Sequence, residues 1–383
     1  MKKILFCLGL FMILNQTINA ESLELAKNAK SAILIEASTG EIIFEKNSHE
    51  KLNPASMTKM MSMLLIIEAI ENNVIKWDDM ITVSNHASSM GGSQILLETG
   101  EKMSVSDLFK GVSIASGNDA VVALAEKIAG TEEAFVKMMN QKAQKLKLKS
   151  TNFKNPHGLD ITNHYSSAYD MSIIAKELVK HKKVLEYTVI YEDYLRENTN
   201  RKIWLVNTNK LVRFYEGVDG LKTGYTKEAG YCLTATAQKE NMRLIAVVMG
   251  EPDSSTRNSE VTSLFDYAYA QYEINDLLLH KPLKKHQINQ AKKEMVKITP
   301  LNPVTILNKK IDKEKKYSYD IQLKNIKAPV KKGEIIGMLT IKENNKKIRT
   351  INLTVEHDIA KANILELYFR HLKKILTGEI SFK

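Results

Sequence analysis

Three short clusters in this chain carry residues able to do nucleophilic chemistry. In Ser56-Met57-Thr58-Lys59 a hydroxyl and an amine stand one helical turn apart, so a helix would present both on one face. A serine so placed can be activated without histidine, provided burial or a neighbouring cation keeps the amine neutral. A helix N-terminus at Ser56 would also offer partial positive charge to a developing oxyanion. Ser116-Gly117-Asn118 adds a second hydroxyl and an amide, and Lys222-Thr223-Gly224 adds a second amine. Singly, each has an ordinary structural explanation. Ser48–Lys51 repeats the first spacing in a polar stretch, Ser116–Asn118 reads as a helix break, and Lys222–Gly224 reads as a strand entering a turn. Coincidence is a poor account of all three in this order, with 60 residues from Ser56 to Ser116 and 106 from Ser116 to Lys222.

The elements that must position these clusters follow from pattern. Met57–Glu71 is apolar almost all round and follows Pro54, which predicts a buried central helix. Helical patterns also cover Ser106–Ile128, Glu132–Lys147, Ala168–Leu178 and Ser254–Tyr272. Strand patterns occupy Ala32–Glu36 and Glu41–Glu45, a hairpin about Ala37–Gly40, and return at Val218–Thr223, Gly230–Ala237 and Arg243–Met249. Strands at both ends and helices between them imply an α+β domain over residues 21–275, an antiparallel sheet packed with a helical cluster. Alternation at Tyr317, Tyr319, Ile321 and Leu323, and again at Ile351, Leu353 and Val355, predicts a small all-β domain, a β-sandwich over 276–360. Residues 361–383 close the chain with an amphipathic basic helix, Leu365, Tyr368, Leu372, Ile375 and Leu376 sharing one face.

The chain has 383 residues, 44% hydrophobic and 26% charged, which excludes disordered and fibrous classes. Its net charge of +11 is unevenly spread. Residues 278–383 hold 24 basic and 10 acidic side chains, leaving 31 and 34 before them. The basicity therefore belongs to the C-terminal part and suits an anionic membrane surface. Nucleic acid is not an expected partner, because the basic region lacks interleaved aromatics in a binding motif. Met1–Ala20 pairs Lys2 and Lys3 with the short apolar run Ile4–Leu14 and ends on a small residue, the layout of a secretory signal peptide. Cleavage there would leave Cys232 as the sole cysteine and no intrachain disulfide. No zinc-type His-Glu-x-x-His, paired-cysteine, phosphate-loop or Gly-x-Ser-x-Gly pattern occurs, and no metal or organic cofactor is implied.

The ordered triple resembles the penicillin-recognising serine enzymes. Asn155-Pro156-His157-Gly158-Leu159-Asp160, Asn207-Thr208-Asn209-Lys210-Leu211 and Val218-Asp219-Gly220-Leu221-Lys222-Thr223-Gly224 narrow the likeness. They look like segments of the low-molecular-mass penicillin-binding proteins, the D-alanyl-D-alanine carboxypeptidases of bacterial envelopes. The likeness covers nearly the whole chain. It implies a serine β-lactamase/DD-peptidase-like fold and removal of the terminal D-alanine from peptidoglycan stem pentapeptides through an acyl-enzyme, with acylation by β-lactams. In that scheme Ser56 is the nucleophile and Lys59 its general base. Lys222 depresses the Lys59 amine and meets the terminal carboxylate, Ser116 relays the proton to the leaving D-alanine, and Asn118 holds Lys59 and the substrate amide. Thr223 and Arg257 complete the carboxylate site. The backbone N–H groups of Ser56 and Tyr225 form the oxyanion hole, and the strand through Gly224 pairs with the stem peptide.

Tyr225 departs from members that carry histidine at that place, which leaves deacylation rate and pH profile open. His157 is expected to be structural. A DD-endopeptidase or a β-lactamase would use the same acylation site, and a non-catalytic wall-binding protein would keep the fold. The expected location is the periplasmic face of the bacterial inner membrane, with the terminal helix lying in its surface.

Overall fold

The computed structural model describes residues 24–277, 283–312 and 315–377. The expected signal peptide, residues 1–20, lies outside them. The chain opens on the hairpin β1 (Ser31–Glu36) and β2 (Ile42–Lys46). A 3-10 turn, Ala55–Thr58, leads into α1 (Lys59–Glu71). The ribbon β3 (Met80–Thr82) and β4 (Lys102–Ser104) brackets the short α2 (Asn85–Ser88). Helices α3 (Val105–Ala115), α4 (Asn118–Ala129), α5 (Glu132–Lys145), α6 (Ala168–Leu178) and α7 (Lys182–Thr188) follow. A second ribbon, β5 (Glu192–Leu195) and β6 (Ile203–Val206), and the turn α8 (Leu211–Phe214) precede three long strands. These are β7 (Val218–Thr226), β8 (Gly230–Lys239) and β9 (Met242–Glu251), closed by α9 (Ser254–Gln271).

The main sheet runs β2-β1-β9-β8-β7, every neighbouring pair antiparallel. Because successive side chains on a strand point to opposite faces, the wholly buried β1 feeds two cores at once. Ile33 and Ile35 join the large core with α1, α3 and α4, while Ala32 and Leu34 join the smaller core under α9. Helix α1 sits in the middle of the large core and buries ten of its thirteen residues, Lys59 among them.

Two expectations change in detail. The helix expected from Met57 begins at Lys59, because Ser56 and Met57 lie in the tighter 3-10 turn. The segment Ser106–Ile128 is two helices, broken where Ser116 adopts φ 63° and caps α3. The two short ribbons escaped the sequence reading.

Beyond α9 the chain is all β. The strands are β10 (Tyr272–Asp276), β11 (Lys284–Gln287), β12 (Met295–Pro300), β13 (Thr305–Lys309), β14 (Tyr317–Leu323), β15 (Gly337–Glu343) and β16 (Lys346–Val355). Five form a sheet in the order β11-β12-β16-β15-β14 over a core of their own. β10 continues from α9 and pairs with β13, joining the two parts. Ser38 and Thr305 share a hydrogen bond of 2.8 Å across that junction, and Arg349 donates to the Ser38 carbonyl at 2.8 Å. The last element, α10 (Ile364–Leu376), carries an Asn363/Glu366 capping box. Among the described residues no helix is long and apolar enough to cross a membrane.

Candidate active site

The turn that carries Ser56 is wedged between two backbones that come close only because they lack a Cβ. A methyl at Gly224 of β7 would stand 2.7 Å from the Pro54 carbonyl, and one at Gly158 would stand 1.9 Å from the Ala55 carbonyl. Gly158 also needs its φ of +90°. The loop before it is shaped by Asn155, whose Oδ1 accepts from the N–H groups of His157 and Gly158 at 3.3 and 2.6 Å. Ser62 of α1 ties that loop down by donating to the Pro156 carbonyl at 2.6 Å.

One turn on from Ser56, Lys59 is wholly buried. Its Nζ lies 3.0 Å from Ser56 Oγ, 2.6 Å from Asn118 Oδ1 and 2.8 Å from the His157 carbonyl. Burial first, and then the Lys222 charge, hold this amine well below its usual range; Asp119 opposes them. A neutral amine has two hydrogens and one lone pair. With the hydrogens on the two carbonyl oxygens, the lone pair is left for the Ser56 hydroxyl.

Lys222 is also buried, and burial together with the Arg257 charge brings it down to about 7. Its Nζ reaches the Thr223 carbonyl at 3.3 Å. Ser116, at the end of α3, is buried, and among the described residues its Oγ has no hydrogen-bond partner. Asn118 opens α4. Arg257, which a surface position on a helix would equally have explained, is buried in the first turn of α9 and points Nε and Nη2 at Asn258 Oδ1, 3.1 and 2.9 Å away.

A cleft of about 460 Å³ collects Ser56, Ser116, Thr223, Gly224, Tyr225 and Arg257. Lys59, Asn118 and Lys222 stand behind its wall. The sequence reading gave no role to Ser93, Tyr231 or Asn258, nor singly to Thr208, all of which line the cleft. The Thr223 hydroxyl donates to the Thr208 hydroxyl at 2.8 Å. Thr208 lies within the Asn207–Leu211 segment already singled out, so the signal was present without a role. The side chain of Tyr225 is exposed and packs on Tyr231, ring centres 4.3 Å apart. His157 serves through its carbonyl, while its ring faces Glu132 at 3.5 Å and accepts from the Leu159 N–H at 3.2 Å.

A serine with a buried lysine amine 3.0 Å from its hydroxyl, set between a helical cluster and an antiparallel sheet, defines the serine acyl-enzyme hydrolases that recognise penicillin. The chain matches the D-alanyl-D-alanine carboxypeptidase family over residues 16–253 and the C-terminal domain of penicillin-binding protein 5 over residues 276–361. The D-alanyl-D-alanine carboxypeptidase DacF of Bacillus subtilis is 51% identical over 362 residues, covering 94% of this chain and 92% of its own. DacA of Haemophilus influenzae is 36% identical over 348 residues, 88% of this chain and 86% of its own. Penicillin-binding protein 5 of the same organism superposes with a TM-score of 0.71 at 34% identity, covering 87% of this chain and 98% of that one. Ampicillin-bound penicillin-binding protein D2 of Listeria monocytogenes gives 0.58 at 30% identity, over 64% and 99%. This chain belongs to the D-alanyl-D-alanine carboxypeptidase family and is a serine peptidase.

Proposed function

We propose that Ser56 attacks the carbonyl between the last two D-alanines of a peptidoglycan stem pentapeptide, releasing the terminal residue and leaving an acyl-enzyme that water hydrolyses. The observation that carries this is the Lys59 amine, desolvated and aimed at Ser56 Oγ from 3.0 Å. Lys59 takes the hydroxyl proton as Ser56 attacks. Ser116, with an uncommitted hydroxyl in the cleft, passes a proton to the leaving amine. The N–H groups of Ser56 and Tyr225 receive the oxyanion, a role supported by the close approach of Gly224 to the Ser56 turn. Thr223, Lys222 and Arg257 meet the terminal carboxylate, and Asn118 holds both Lys59 and the substrate amide. A β-lactam presents the same carboxylate and a strained amide, so it acylates Ser56 in the same way.

The chain is proposed to act outside the cytoplasm, exported by residues 1–20 and held at the periplasmic face of the inner membrane through its terminal helix. Residues 21–275 would form the catalytic domain and 276–360 the small β domain. The apolar face of α10 supports surface attachment: Ile364, Leu365, Phe369 and Leu376 are exposed, while Arg370 and Lys374 on the other side tie the helix to the Ala291 and Lys292 carbonyls and to Glu294.

Labelling with a fluorescent penicillin tests the nucleophile. The wild type should label and Ser56→Ala should not; labelling of the alanine variant would remove Ser56 from this role. Mass analysis after incubation with pentapeptide and with cross-linked muropeptide tests the reaction. Loss of one alanine is expected, and splitting of the cross-linked dimer alone would favour an endopeptidase.

A further inference from the structure

Asn118 is held at both ends of its amide. Oδ1 accepts from Lys59 Nζ at 2.6 Å, Nδ2 donates to the Gly91 carbonyl at 2.6 Å, and its backbone N–H donates to the Ser93 carbonyl at 2.7 Å. The direction of the amide has a chemical consequence. Turned over, it would present NH₂ to Lys59, remove one of the two acceptors that occupy the amine's hydrogens, and release the lone pair from its aim at Ser56. The Gly91 carbonyl is what selects the productive direction.

Gly91 and Ser93 belong to a loop without helix or strand between Ser89 and Glu101. Its inner side rests on Asp119, whose carboxylate accepts from the Ile95 N–H at 3.1 Å and the Leu97 N–H at 3.0 Å. Its outer side is gripped from the β5–β6 connection. Arg196 donates to the Ile95 carbonyl at 2.9 Å and to the Leu96 carbonyl at 3.2 Å, and Arg201 donates to the Leu96 carbonyl at 2.7 Å. Both arginines also hold Glu101, where the loop ends: Arg196 at 2.5 and 3.0 Å, Arg201 at 3.1 Å. Leu96 between them sits at φ +56°, a conformation a leucine keeps only when its surroundings over-determine it. The Arg196 and Glu101 side chains are 8% and 14% exposed. Such an ion pair gives little net stability over an apolar substitute, whereas its forked geometry fixes direction.

We propose that the Arg196–Glu101–Arg201 clamp is a positioning device for acylation. It presses the loop onto α4, so that the Gly91 carbonyl orients Asn118 and Asn118 orients the lone pair of Lys59. None of the three clamp residues lines the cleft; they reach it through the loop, whose Gly91 and Ser93 carbonyls hold Asn118. The inference rests on the roles proposed above for Asn118 and Lys59.

The test measures the second-order rate of acylation by a fluorescent penicillin across pH, using the full chain. The variants are Arg196→Ala, Arg196→Lys, Glu101→Gln, Asn118→Ala and the double variant Arg196→Ala/Asn118→Ala, with the folded fraction of each read from thermal unfolding. Arg196→Ala should slow acylation about tenfold per folded molecule, the scale of a misplaced catalytic group. Arg196→Lys should recover only part, since an ammonium lacks the fork. Lys59 is faced by Lys222 from β7, by Asp119 from α4 and by the His157 carbonyl and ring; the substitution removes none of these groups, while the loop it loosens also donates to Asp119. With the amide turned, the acid limb of the profile should therefore move to lower pH, because an NH₂ facing Lys59 disfavours its cation. In the Asn118→Ala background, Arg196→Ala should add little. If Arg196→Ala does not fold, Glu101→Gln carries the same comparison with an expected loss of about threefold. Full additivity of the two substitutions, or a rate within about twofold of wild type with an unmoved limb, would overturn the clamp. An Asn118→Ala variant as fast as wild type would instead overturn the role of Asn118 itself, and the clamp with it.

Discussion

Lys59 and Lys222 are two amines in one interior, and their different surroundings divide their work. Lys59 has two carbonyl acceptors and a cation nearby, which favour the neutral amine and support its proposed part as the base. Lys222 is brought down to about 7 and keeps its proton below that pH. Its charge depresses Lys59 and, in the proposed reaction, meets the substrate carboxylate, and both effects are lost as pH rises through about 7. The kcat/KM of the free enzyme for a carboxylate-bearing peptide should therefore fall above that value. In Lys222→Gln that limb should vanish on a lower plateau; a limb that persists unchanged would assign it to another group. Motif order made these residues legible in the sequence, but not their charge states, which depend on burial that no local pattern reports.

At the scale of elements, the Ser56 turn shows how little slack the site has. Gly158→Ala places a methyl against the Ala55 carbonyl and strains a left-handed backbone. It should destabilise the protein by about 1–3 kcal/mol and slow acylation further than that loss of stability explains, by moving the turn that carries the nucleophile. Chemical denaturation and penicillin labelling of the same preparation would separate the two effects. The terminal helix was legible from its 3.6-residue period, because an amphipathic face is a local property. What the fold adds is that Arg370 and Lys374 dock its polar side and leave the apolar face outward. Deleting the residues after Ala360 should release an active enzyme from anionic vesicles into the supernatant after sedimentation. Retention of the truncated enzyme on the vesicles would deny the helix that role. The β3–β4 and β5–β6 ribbons were not legible, since three- and four-residue strands carry too short an alternation to stand out.

Across the whole molecule, the first and last segments of the main sheet meet at a pair of carboxyls. Glu260 of α9 accepts from the Asn28 and Ala29 N–H groups at 2.8 and 3.3 Å, fastening the start of the chain. Beside it Glu251, at the end of β9, is buried, and burial together with the Glu260 charge pushes its carboxyl up to about 8. A carboxyl raised above its usual 4.5 contributes stability that is complete below that value and lost as pH rises through about 8. The unfolding midpoint should fall by about a few degrees between these limits, and Glu251→Gln should flatten the decline. An unchanged slope in that variant would clear Glu251 of responsibility. The sequence by itself determined the class of fold, the family and the order Ser56, Lys59, Ser116, Asn118, Lys222, because periodicity and motif spacing are written along the chain. Only the tertiary structure decided that the buried Lys59 amine stands 3.0 Å from the Ser56 hydroxyl, that Arg257 reaches the cleft, and that two arginines on a distant ribbon hold the loop behind Asn118. Those facts depend on which backbones come within a few ångströms of one another, and packing sets that distance, not position in the sequence.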